Sequence, residues 1–292
     1  MGRQYTLAVL GGSGLYEMDG LRDVRQLAVE TPYGAPSDAI VEGHLPTEAG
    51  DVRMLFLPRH GRGHRVPPHA INYRANVAAL KMSGATHLLS VSAVGSMREE
   101  IEPGDFVVID QYIDLTRRRI STFFDEIAAH VSFSDPVCDK LASALTSAAR
   151  AVHAKGERGV HDGGTYVCID GPQFSTRAES LVYRSWNVSA IGMTSMPEAK
   201  LAREAELPFA TLALATDYDC WHVSEEAVTV EAIVAVMHKN VNAAKQTVAR
   251  LAGLLPAPET SRAYGALAGA VMTHEGVASA EARKRLSWLM PL

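Results

Sequence analysis

Cysteine is scarce in this chain of 292 residues, which has thiols only at Cys138, Cys168 and Cys220. Disulfide-rich domains and cysteine-ligated zinc sites need more thiols at closer spacing. An odd number of widely separated cysteines is typical of reduced thiols. We therefore expect a cytoplasmic protein without a disulfide framework.

Long hydrophobic runs and an excess of positive charge are also missing. No apolar run reaches the ~18 residues of a membrane-spanning helix, and the N-terminus lacks the basic, apolar and small-residue order of a secretory signal. The 33 acidic residues outnumber the 28 lysines and arginines, which gives a net charge of −5. Because nucleic acids bind basic surfaces, we expect neither a membrane nor a nucleic-acid partner.

Two familiar glycine-rich motifs are incomplete. The apolar run Tyr5–Leu10 leads into Gly11-Gly12-Ser13-Gly14. A dinucleotide-binding fingerprint would need glycine or alanine in place of Glu17, and a nucleophile elbow would need glycine in place of Leu15. What remains is a tight turn whose backbone N–H groups can face an anion.

Short apolar strands alternate with helical patterns along the chain, which is typical of α/β folds. We predict a single α/β domain over residues 1–292, with a central mixed β-sheet flanked by helices. The predicted strands are Tyr5–Leu10, Val52–Leu57, Thr86–Val91, Phe106–Ile109, Thr165–Ile169, Ala190–Gly192 and Phe209–Ala215. The predicted helices cover Ala70–Met82, Ser134 to Val152, a segment from Thr176, Pro197 to about Ala205, about Val228 to Val248, and Ala278–Leu289.

Small, hydroxyl-bearing or basic residues stand where several of these strands end: Ser13, Arg59-His60, Ser92-Ala93 and Thr194. Taken singly, each also suits an ordinary surface loop. Strand ends of one open α/β sheet converge on a crevice, however, and a guanidinium matches two oxygens of a phosphate at once. The set as a whole therefore favours an anion site.

His60, His64 and His69 are close in sequence, which raises the possibility of a metal site. The intervening glycines and prolines exclude a regular helix, so no rigid face presents the three rings together. We favour the anion site and expect no metal.

Two carboxylates, Asp217 and Asp219, directly follow the uncharged strand Phe209–Ala215. Side chains two residues apart in extended chain point the same way, so the pair could hold a group that offers hydrogen-bond donors. The alternative is an acidic loop that caps the next helix. Phe174 and Ser175 leave a similar choice between a ring and hydroxyl against a base and an ordinary core phenylalanine.

The segment from Thr116 to Phe133 shows little periodicity and is predicted as a long loop. Loops of this length usually indicate function or an interface. Its basic run Arg117-Arg118-Arg119 is interpreted as a solvated surface, and it also contains His130.

The most distinctive motifs are, in chain order, Gly11–Leu15, Thr31–Gly34, Pro58–Gly61, Asn72–Asn76, Arg98–Asp105, Gly171–Ser175, Met193–Glu198 and Ala215–Trp221. Together they resemble the trimeric purine nucleoside phosphorylase family, in its methylthioadenosine phosphorylase branch. The resemblance covers about residues 5–250, in order, which is more specific than any one motif. The segment 253–292, expected to be a helical tail, matches nothing in it.

The resemblance implies a purine nucleoside phosphorylase fold and phosphorolysis of 5′-methylthioadenosine to adenine and 5-methylthioribose 1-phosphate. Inorganic phosphate would be the co-substrate, with no cofactor and no metal. The implied assembly is a homotrimer, or a hexamer, with shared active sites.

The family's site residues carry over by motif. The implied phosphate site comprises Ser13, Arg59, His60, Ser92, Ala93 and Thr194. The implied substrate contacts are Phe174, Ser175, Met193, Val230, Ile233, the catalytic pair Asp217 and Asp219, and His130 from a neighbouring subunit. Departures from the family pattern are Val94 for a common cysteine, Ser13 and Ser92 for threonine, and Ser195-Met196 for Thr-Val. The serines keep a hydroxyl donor.

The residues agree with this chemistry. A purine leaving group needs a proton at N7, which a carboxylic acid can supply only if its pKa lies well above the reference of about 3.9. A neighbouring carboxylate disfavours double ionisation, so the proximity of Asp217 and Asp219 is expected to raise the pKa of one of the two. Carboxyls also accept from a 6-amino group, whereas a 6-oxopurine would oppose lone pairs to lone pairs.

Three rival functions remain open at this point. A phosphorylase for inosine-type or methylthioinosine substrates would usually carry an amide at Asp217, because an amide can donate and accept. A non-catalytic nucleoside-binding module would not need the anion residues. A nucleosidase that uses water would not need Arg59 and His60.

Overall fold

The structure is a computed structural model. It describes residues 5–12, 14–15, 17–153, 158–222, 230–274 and 276–290, with only the backbone course for 230–239. Within these ranges, none of the helices has both the length and the apolar character that a membrane crossing requires.

The described chain forms a mixed sheet of eleven strands and six α-helices. The strands are β1 (Thr6–Gly11), β2 (Arg22–Leu27), β3 (Ile40–Thr47), β4 (Gly50–Pro58), β5 (His87–Ser96), β6 (Phe106–Ile109), β7 (Gln111–Asp114), β8 (Val160–Asp162), β9 (Thr165–Cys168), β10 (Ala190–Gly192) and β11 (Phe209–Tyr218). The helices are α1 (Tyr73–Met82), α2 (Asp139–Val152), α3 (Arg177–Ser185), α4 (Ser195–Glu204), α5 (Val230–Ala252) and α6 (Ala280–Leu286).

The centre of the sheet is parallel. β1 pairs with β4 on one side and β5 on the other, and β5 pairs in turn with β11, all parallel. The remaining sheet order is β2-β3-β4-β1-β5-β10-β9-β7, with β6 and β8 beyond β11. Parallel strands are normally covered on both faces, and every residue of β1 is buried. The predicted α/β fold with a central mixed sheet is confirmed.

Alternation along the central strand sends its side chains into two separate cores. Leu7 and Val9 of β1 belong to one apolar cluster, and Ala8 and Leu10 to the other. Helices α1 and α4 contribute to the second cluster, and α2 and α5 to the first. The sheet is therefore sandwiched between two helical layers, and its edge of strand ends stays available for a site.

The strand predictions were too short at two functionally important places. The segment Ser92–Ser96, which follows the predicted strand Thr86–Val91, continues β5, and β11 extends beyond Ala215 to Tyr218. Small and polar residues end the hydrophobic pattern there, yet the backbone pairing of β5 with β11 continues to Ser96. The sequence analysis also missed β2, β3, β7 and β8. β2 is an exposed edge strand and β3 contains glycine and proline, which weaken a strand pattern.

The predicted helices are present, but some of their bounds and buried faces differ from the prediction. Thr176 caps α3 through a capping box with Glu179, but α2 begins at Asp139, after the predicted Ser134-Asp135-Pro136 start. Leu181 and Val182, two apolar residues of α3, are 52% and 48% exposed. The buried residue of α3 is Ser180, whose hydroxyl donates to the carboxylate of Asp219.

Candidate active site

A cavity of about 310 Å³ opens where β5, β10 and β11 and the segments after β1 and β4 meet. It gathers most of the residues that the sequence analysis selected from distant positions. Its lining includes Gly12, Arg59, His60, Ser92, Ala93, Phe174, Ser175, Met193, Thr194, Asp217 and Asp219. The convergence of strand ends on one crevice is thus observed.

Asp217 and Asp219 both line the cavity, next to a local irregularity in β11. The register between β5 and β11 shifts between Ala215 and Asp217, so that Asp217 stands opposite Gly95. A bulge of this kind re-aims a side chain. A Cβ on Gly95 would lie 3.2 Å from Asp217 Oδ1 and 3.3 Å from Asp219 Cβ, so glycine makes room for both acids.

Each acid has a hydroxyl donor on one of its oxygens. Thr216 Oγ1 donates to Asp217 Oδ2 at 2.7 Å, and Ser180 Oγ donates to Asp219 Oδ2. Burial, with a smaller contribution from the charge of Asp219, raises the pKa of Asp217 to about 6. Burial also raises the pKa of Asp219 above its usual value. Asp217 is therefore able to hold a proton close to neutral pH.

Phe174 and Ser175, the candidates for contact with a purine, line the same cavity. Phe174 keeps 52% of its surface exposed, so it is not a core phenylalanine. Ser175 Oγ is buried and has no hydrogen-bond partner among the described residues. A buried hydroxyl without a partner is costly, and a ligand in the cavity could supply one.

Met193 lines the same cavity, close to Gly171 and Tyr73. A Cβ on Gly171, whose φ is +63°, would approach Met193 Sδ to 2.4 Å. Tyr73 Oη donates to the carbonyl oxygen of Pro68 at 3.0 Å and lies 3.4 Å from the carbonyl oxygen of Met193. Glycine at 171 is thus required both by the backbone conformation and by the methionine sulfur.

Two hydroxyl-bearing residues, Ser92 and Thr194, also line the cavity, with the buried Tyr166 beside them. Ser92 Oγ and Thr194 Oγ1 are 2.9 Å apart, and Tyr166 Oη is 3.5 Å from both Ser92 Oγ and the Thr194 backbone nitrogen. A Cβ on Gly192 would lie only 2.0 Å from Tyr166 Oη. The sequence analysis missed Tyr166, since a tyrosine inside a predicted strand carries no signal of its own.

Arg59 reaches the cavity from the end of β4, but protein acceptors occupy most of its guanidinium. Nε donates to Glu198 Oε1 at 2.8 Å, Nη1 to the Val91 carbonyl at 2.7 Å and Nη2 to the Leu10 carbonyl at 2.7 Å. Nη2 also approaches Ser90 Oγ and Glu198 Oε2. Within the described residues, one Nη1 hydrogen has no acceptor. Arg59 therefore keeps a single, fixed hydrogen to donate to an anion and cannot bind two phosphate oxygens with a free guanidinium edge.

His60 is held neutral beside it. Its Nδ1 lies 2.9 Å from the carbonyl oxygen of Val66, and because a carbonyl only accepts, Nδ1 carries the proton. Burial and then the charge of Arg59 lower the pKa of His60 to about 4. Its ring stacks on His64 with centroids 4.2 Å apart. No cluster of three or more metal-ligating side chains is found within the part of the chain that is described.

Arg119 corrects the interpretation of the basic run as a solvated surface. Its side chain is 1% exposed, and its Nη2 donates to the carbonyl oxygen of Asp170 at 2.9 Å. The guanidinium carbon also lies 5.0 Å from the centre of the Tyr73 ring. Arg119 therefore braces the chain just before Gly171.

Four of the selected residues are not placed at this cavity. Ser13 lies outside the described residues, as do the side chains of Val230 and Ile233, although both belong to α5. His130 is exposed and is not part of the cavity lining. It lies in the predicted long loop, which indeed contains neither helix nor strand between β7 and α2.

Comparison with known proteins agrees with this geometry. The family model described as Phosphorylase superfamily matches residues 6–252. An S-methyl-5′-thioadenosine phosphorylase of Geobacter sulfurreducens is 51% identical over 289 residues, which cover 98% of each chain.

Two solved structures are also similar. A methylthioadenosine phosphorylase from an antarctic soil metagenomic library has a TM-score of 0.91 at 46% identity, covering 99% of this chain and 100% of that one. The methylthioadenosine phosphorylase from Schistosoma mansoni, in complex with adenine, has a TM-score of 0.83 at 35% identity, covering 91% of this chain and 99% of that one. With these similarities extending over nearly its whole length, the chain belongs to the phosphorylase superfamily, within the S-methyl-5′-thioadenosine phosphorylase family.

Proposed function

We propose that this protein cleaves 5′-methylthioadenosine with inorganic phosphate, giving adenine and 5-methylthioribose 1-phosphate. The observation that carries the proposal is one cavity lined both by Arg59, Ser92 and Thr194, which suit a phosphate, and by the acids Asp217 and Asp219, whose pKa values burial raises. The reaction breaks the N-glycosidic bond and forms a bond from the anomeric carbon to a phosphate oxygen. The purine leaves with the bonding electrons and takes a proton.

The phosphate occupies the end formed by Arg59, His60, Ser92, Ala93 and Thr194, with Ser13 assigned to the same end by sequence. Hydroxyls and a fixed guanidinium hydrogen supply donors that need little rearrangement, which is the arrangement that stabilises developing charge most effectively. The oxygens so held lie below the sugar, where they stabilise its positive charge and then attack. The co-substrate is the nucleophile, so no cofactor or metal is required.

The purine occupies the end formed by Phe174, Ser175, Asp217 and Asp219. Thr216 donates a hydrogen bond to Asp217 Oδ2, so Oδ1 remains to hold the proton that N7 receives. Asp217 and Asp219, the second oriented by Ser180, also accept from the 6-amino group. The ring of Phe174 stacks on the base, and the unpartnered Ser175 hydroxyl bonds it. Met193, between the two ends, contacts the ribose.

The same acid pair disfavours the nearest rival, a 6-oxopurine phosphorylase. A 6-oxygen offers only lone pairs, so it meets an ionised carboxylate without a hydrogen bond and leaves polar groups unpaired. The residues assigned to the phosphate also disfavour a non-catalytic binding module and a water-using nucleosidase, because neither of these functions needs an anion site.

We further propose a homotrimer in which each cavity is completed by His130 of a neighbouring subunit, with Val230 and Ile233 of its own α5 beside the 5′-methylthio group. An exposed histidine outside its own cavity supports this arrangement. Sedimentation gives the subunit number. Mixed trimers of His130→Ala and Asp217→Asn chains should recover part of the activity, since some sites then combine an intact cavity with an intact His130.

One assay tests the reaction itself. Methylthioadenosine is incubated with and without phosphate, and the release of adenine and of the sugar phosphate is measured. We expect turnover only with phosphate or arsenate. Equal adenine release in phosphate-free buffer would show a nucleosidase, and binding without turnover would show a binding module.

A further inference from the structure

The loop that carries His130, here residues 122–135, is anchored at both ends to α4. Glu204 accepts from the backbone nitrogen of Phe123 and from Thr122 Oγ1, each at 2.7 Å. At the other end, Arg203 donates to the carbonyl oxygens of Ser132 and Asp135. These contacts fix where the loop starts and ends. Between them, Arg74 of α1 pairs with Asp125 at 2.7 Å, and Phe124 and Ile127 are buried in an apolar cluster. His130, which follows them, is exposed.

The chain beyond α5 supplies backbone hydrogen bonds directly around His130. The backbone nitrogen of His130 donates to the carbonyl oxygen of Ala270 at 2.9 Å, and the nitrogen of Met272 donates to the carbonyl oxygen of Ala128 at 2.8 Å. The backbone nitrogen of Ala128 donates to Thr273 Oγ1 at 2.8 Å. The tail thus forms a short antiparallel bridge with the loop, on both sides of Ala129.

Helix α6 adds a second set of contacts, to the first half of the loop. Arg285 Nη2 donates to Glu126 Oε1 at 2.7 Å, and Ser279 Oγ donates to Glu126 Oε2 at 3.0 Å. Trp288 packs edge-on against Phe123, with ring centroids 5.1 Å apart. Networks of this kind hold geometry better than isolated surface ion pairs do.

The tail is not part of what the superfamily shares. The superfamily model ends at residue 252, whereas the similarity to the Geobacter sulfurreducens relative covers 98% of the chain. None of the described residues between 253 and 290 lines the cavity that holds Asp217 and Asp219. The tail's described contacts with the loop therefore suggest a role in placing the loop.

We infer that the tail is a clamp that sets the position of His130, and that it acts on catalysis in the neighbouring subunit and not in its own. The inference rests on the proposed function, since it assigns Thr273 and Arg285 as positioning residues for the site that His130 completes. A histidine held at a fixed position loses less freedom when substrate binds, and small misplacements of such groups are expensive.

Point variants in the tail test the clamp. Thr273→Val removes the hydroxyl acceptor of Ala128 while keeping shape, and Arg285→Met removes the donor to Glu126. Lys284→Met, an exposed cation in the same helix, is the matched control. We expect the KM for methylthioadenosine to rise on the order of ten-fold in the first two, with the KM for phosphate and the control unchanged. Equal rises in all three variants, or no rise in either of the first two, would overturn the inference.

Mixed trimers test the action across the interface. When Arg285→Met chains assemble with Asp217→Asn chains, the intact cavity of the first receives the intact loop of the second. We expect these sites to regain the wild-type KM. A mixed trimer that keeps the KM of the Arg285→Met homotrimer would show that the tail acts only within its own subunit, against the inference.

Hydrogen exchange separates failure of the clamp from failure of the proposed reaction, because it needs no turnover. The amides of Ala128 and His130 should exchange faster in Thr273→Val and Arg285→Met than in the wild type or Lys284→Met. Unchanged exchange in both tail variants contradicts the clamp whatever the substrate is. Faster exchange in a protein that does not cleave methylthioadenosine would support the clamp and reject the reaction.

Discussion

Arg59 and Glu198 form a two-pronged ion pair beside the cavity, with Nε to Oε1 at 2.8 Å and Nη2 to Oε2 at 3.2 Å. Their side chains are 2% and 1% exposed. Ser90 Oγ donates to Glu198 Oε2 at 2.7 Å, so the carboxylate is satisfied on both oxygens. The pair keeps the guanidinium in one orientation and compensates its charge when no anion is bound.

Glu198→Gln should therefore damage both stability and phosphate binding. Leaving one partner of a buried pair uncompensated costs roughly 3–5 kcal/mol, and the released guanidinium no longer holds its orientation toward the anion. Denaturant unfolding and the KM for phosphate are the measurements. Glu100→Gln, which removes an exposed partner of Arg98, should change stability by less than about 1 kcal/mol; a Glu198 variant as stable as this control would refute the role of the pair.

Thr194→Val should weaken phosphate binding with little effect on the fold. The hydroxyl removed bonds Ser92 Oγ and is, in the proposed function, a donor to the phosphate. A hydrogen bond to a charged group is worth about 1.5–3 kcal/mol, which is roughly a ten- to hundred-fold rise in the KM for phosphate. Thr211→Val removes a hydroxyl that bonds Tyr112, away from the cavity. Similar phosphate KM values for the two variants would contradict the assignment.

Asp217→Asn should change the choice of purine. The amide keeps the shape but cannot pass on a proton, and general acid help contributes ~10²–10⁴-fold. Turnover of methylthioadenosine should fall by that order, while turnover of methylthioinosine should fall less or rise, because the amide can donate to a 6-oxygen. The kcat/KM of both substrates is measured on both proteins. An unchanged ratio would mean that Asp217 does not read the base.

The raised pKa of Asp217 predicts two pH effects. The kcat/KM of the wild type should decline on the alkaline side with an apparent pKa near 6, as the proton for N7 is lost, and Asp217→Asn should lack this limb.

Stability should respond in the same window. Folding raises the pKa of Asp217 from 3.8 to about 6, so the folded state binds more protons between these values and the free energy of unfolding falls as pH rises through them. Above that range, Asp217 no longer makes the free energy of unfolding depend on pH. Comparing unfolding of wild type and Asp217→Asn across pH isolates this contribution; parallel curves would exclude it.

The sequence by itself determined the fold class and most of the site's membership. Uncharged runs such as Phe209–Ala215, broken by small, basic or acidic residues, marked buried strands and the ends at which they open. Both signals can be found in a short stretch of sequence, because an apolar run indicates a buried strand and small or polar residues indicate where the strand ends. They sufficed to select Arg59, Ser92, Thr194 and Asp217, which the structure brings to one cavity.

Only the tertiary structure decided what each selected residue bonds to. Glu198 is 139 positions from Arg59, and Ser180 is 39 positions from Asp219. The exposure of Leu181 and the burial of Arg119 likewise depend on which elements lie beside them. Such partnerships follow from sheet order, register and the bulge before Asp217, which set distances between segments that no local pattern contains.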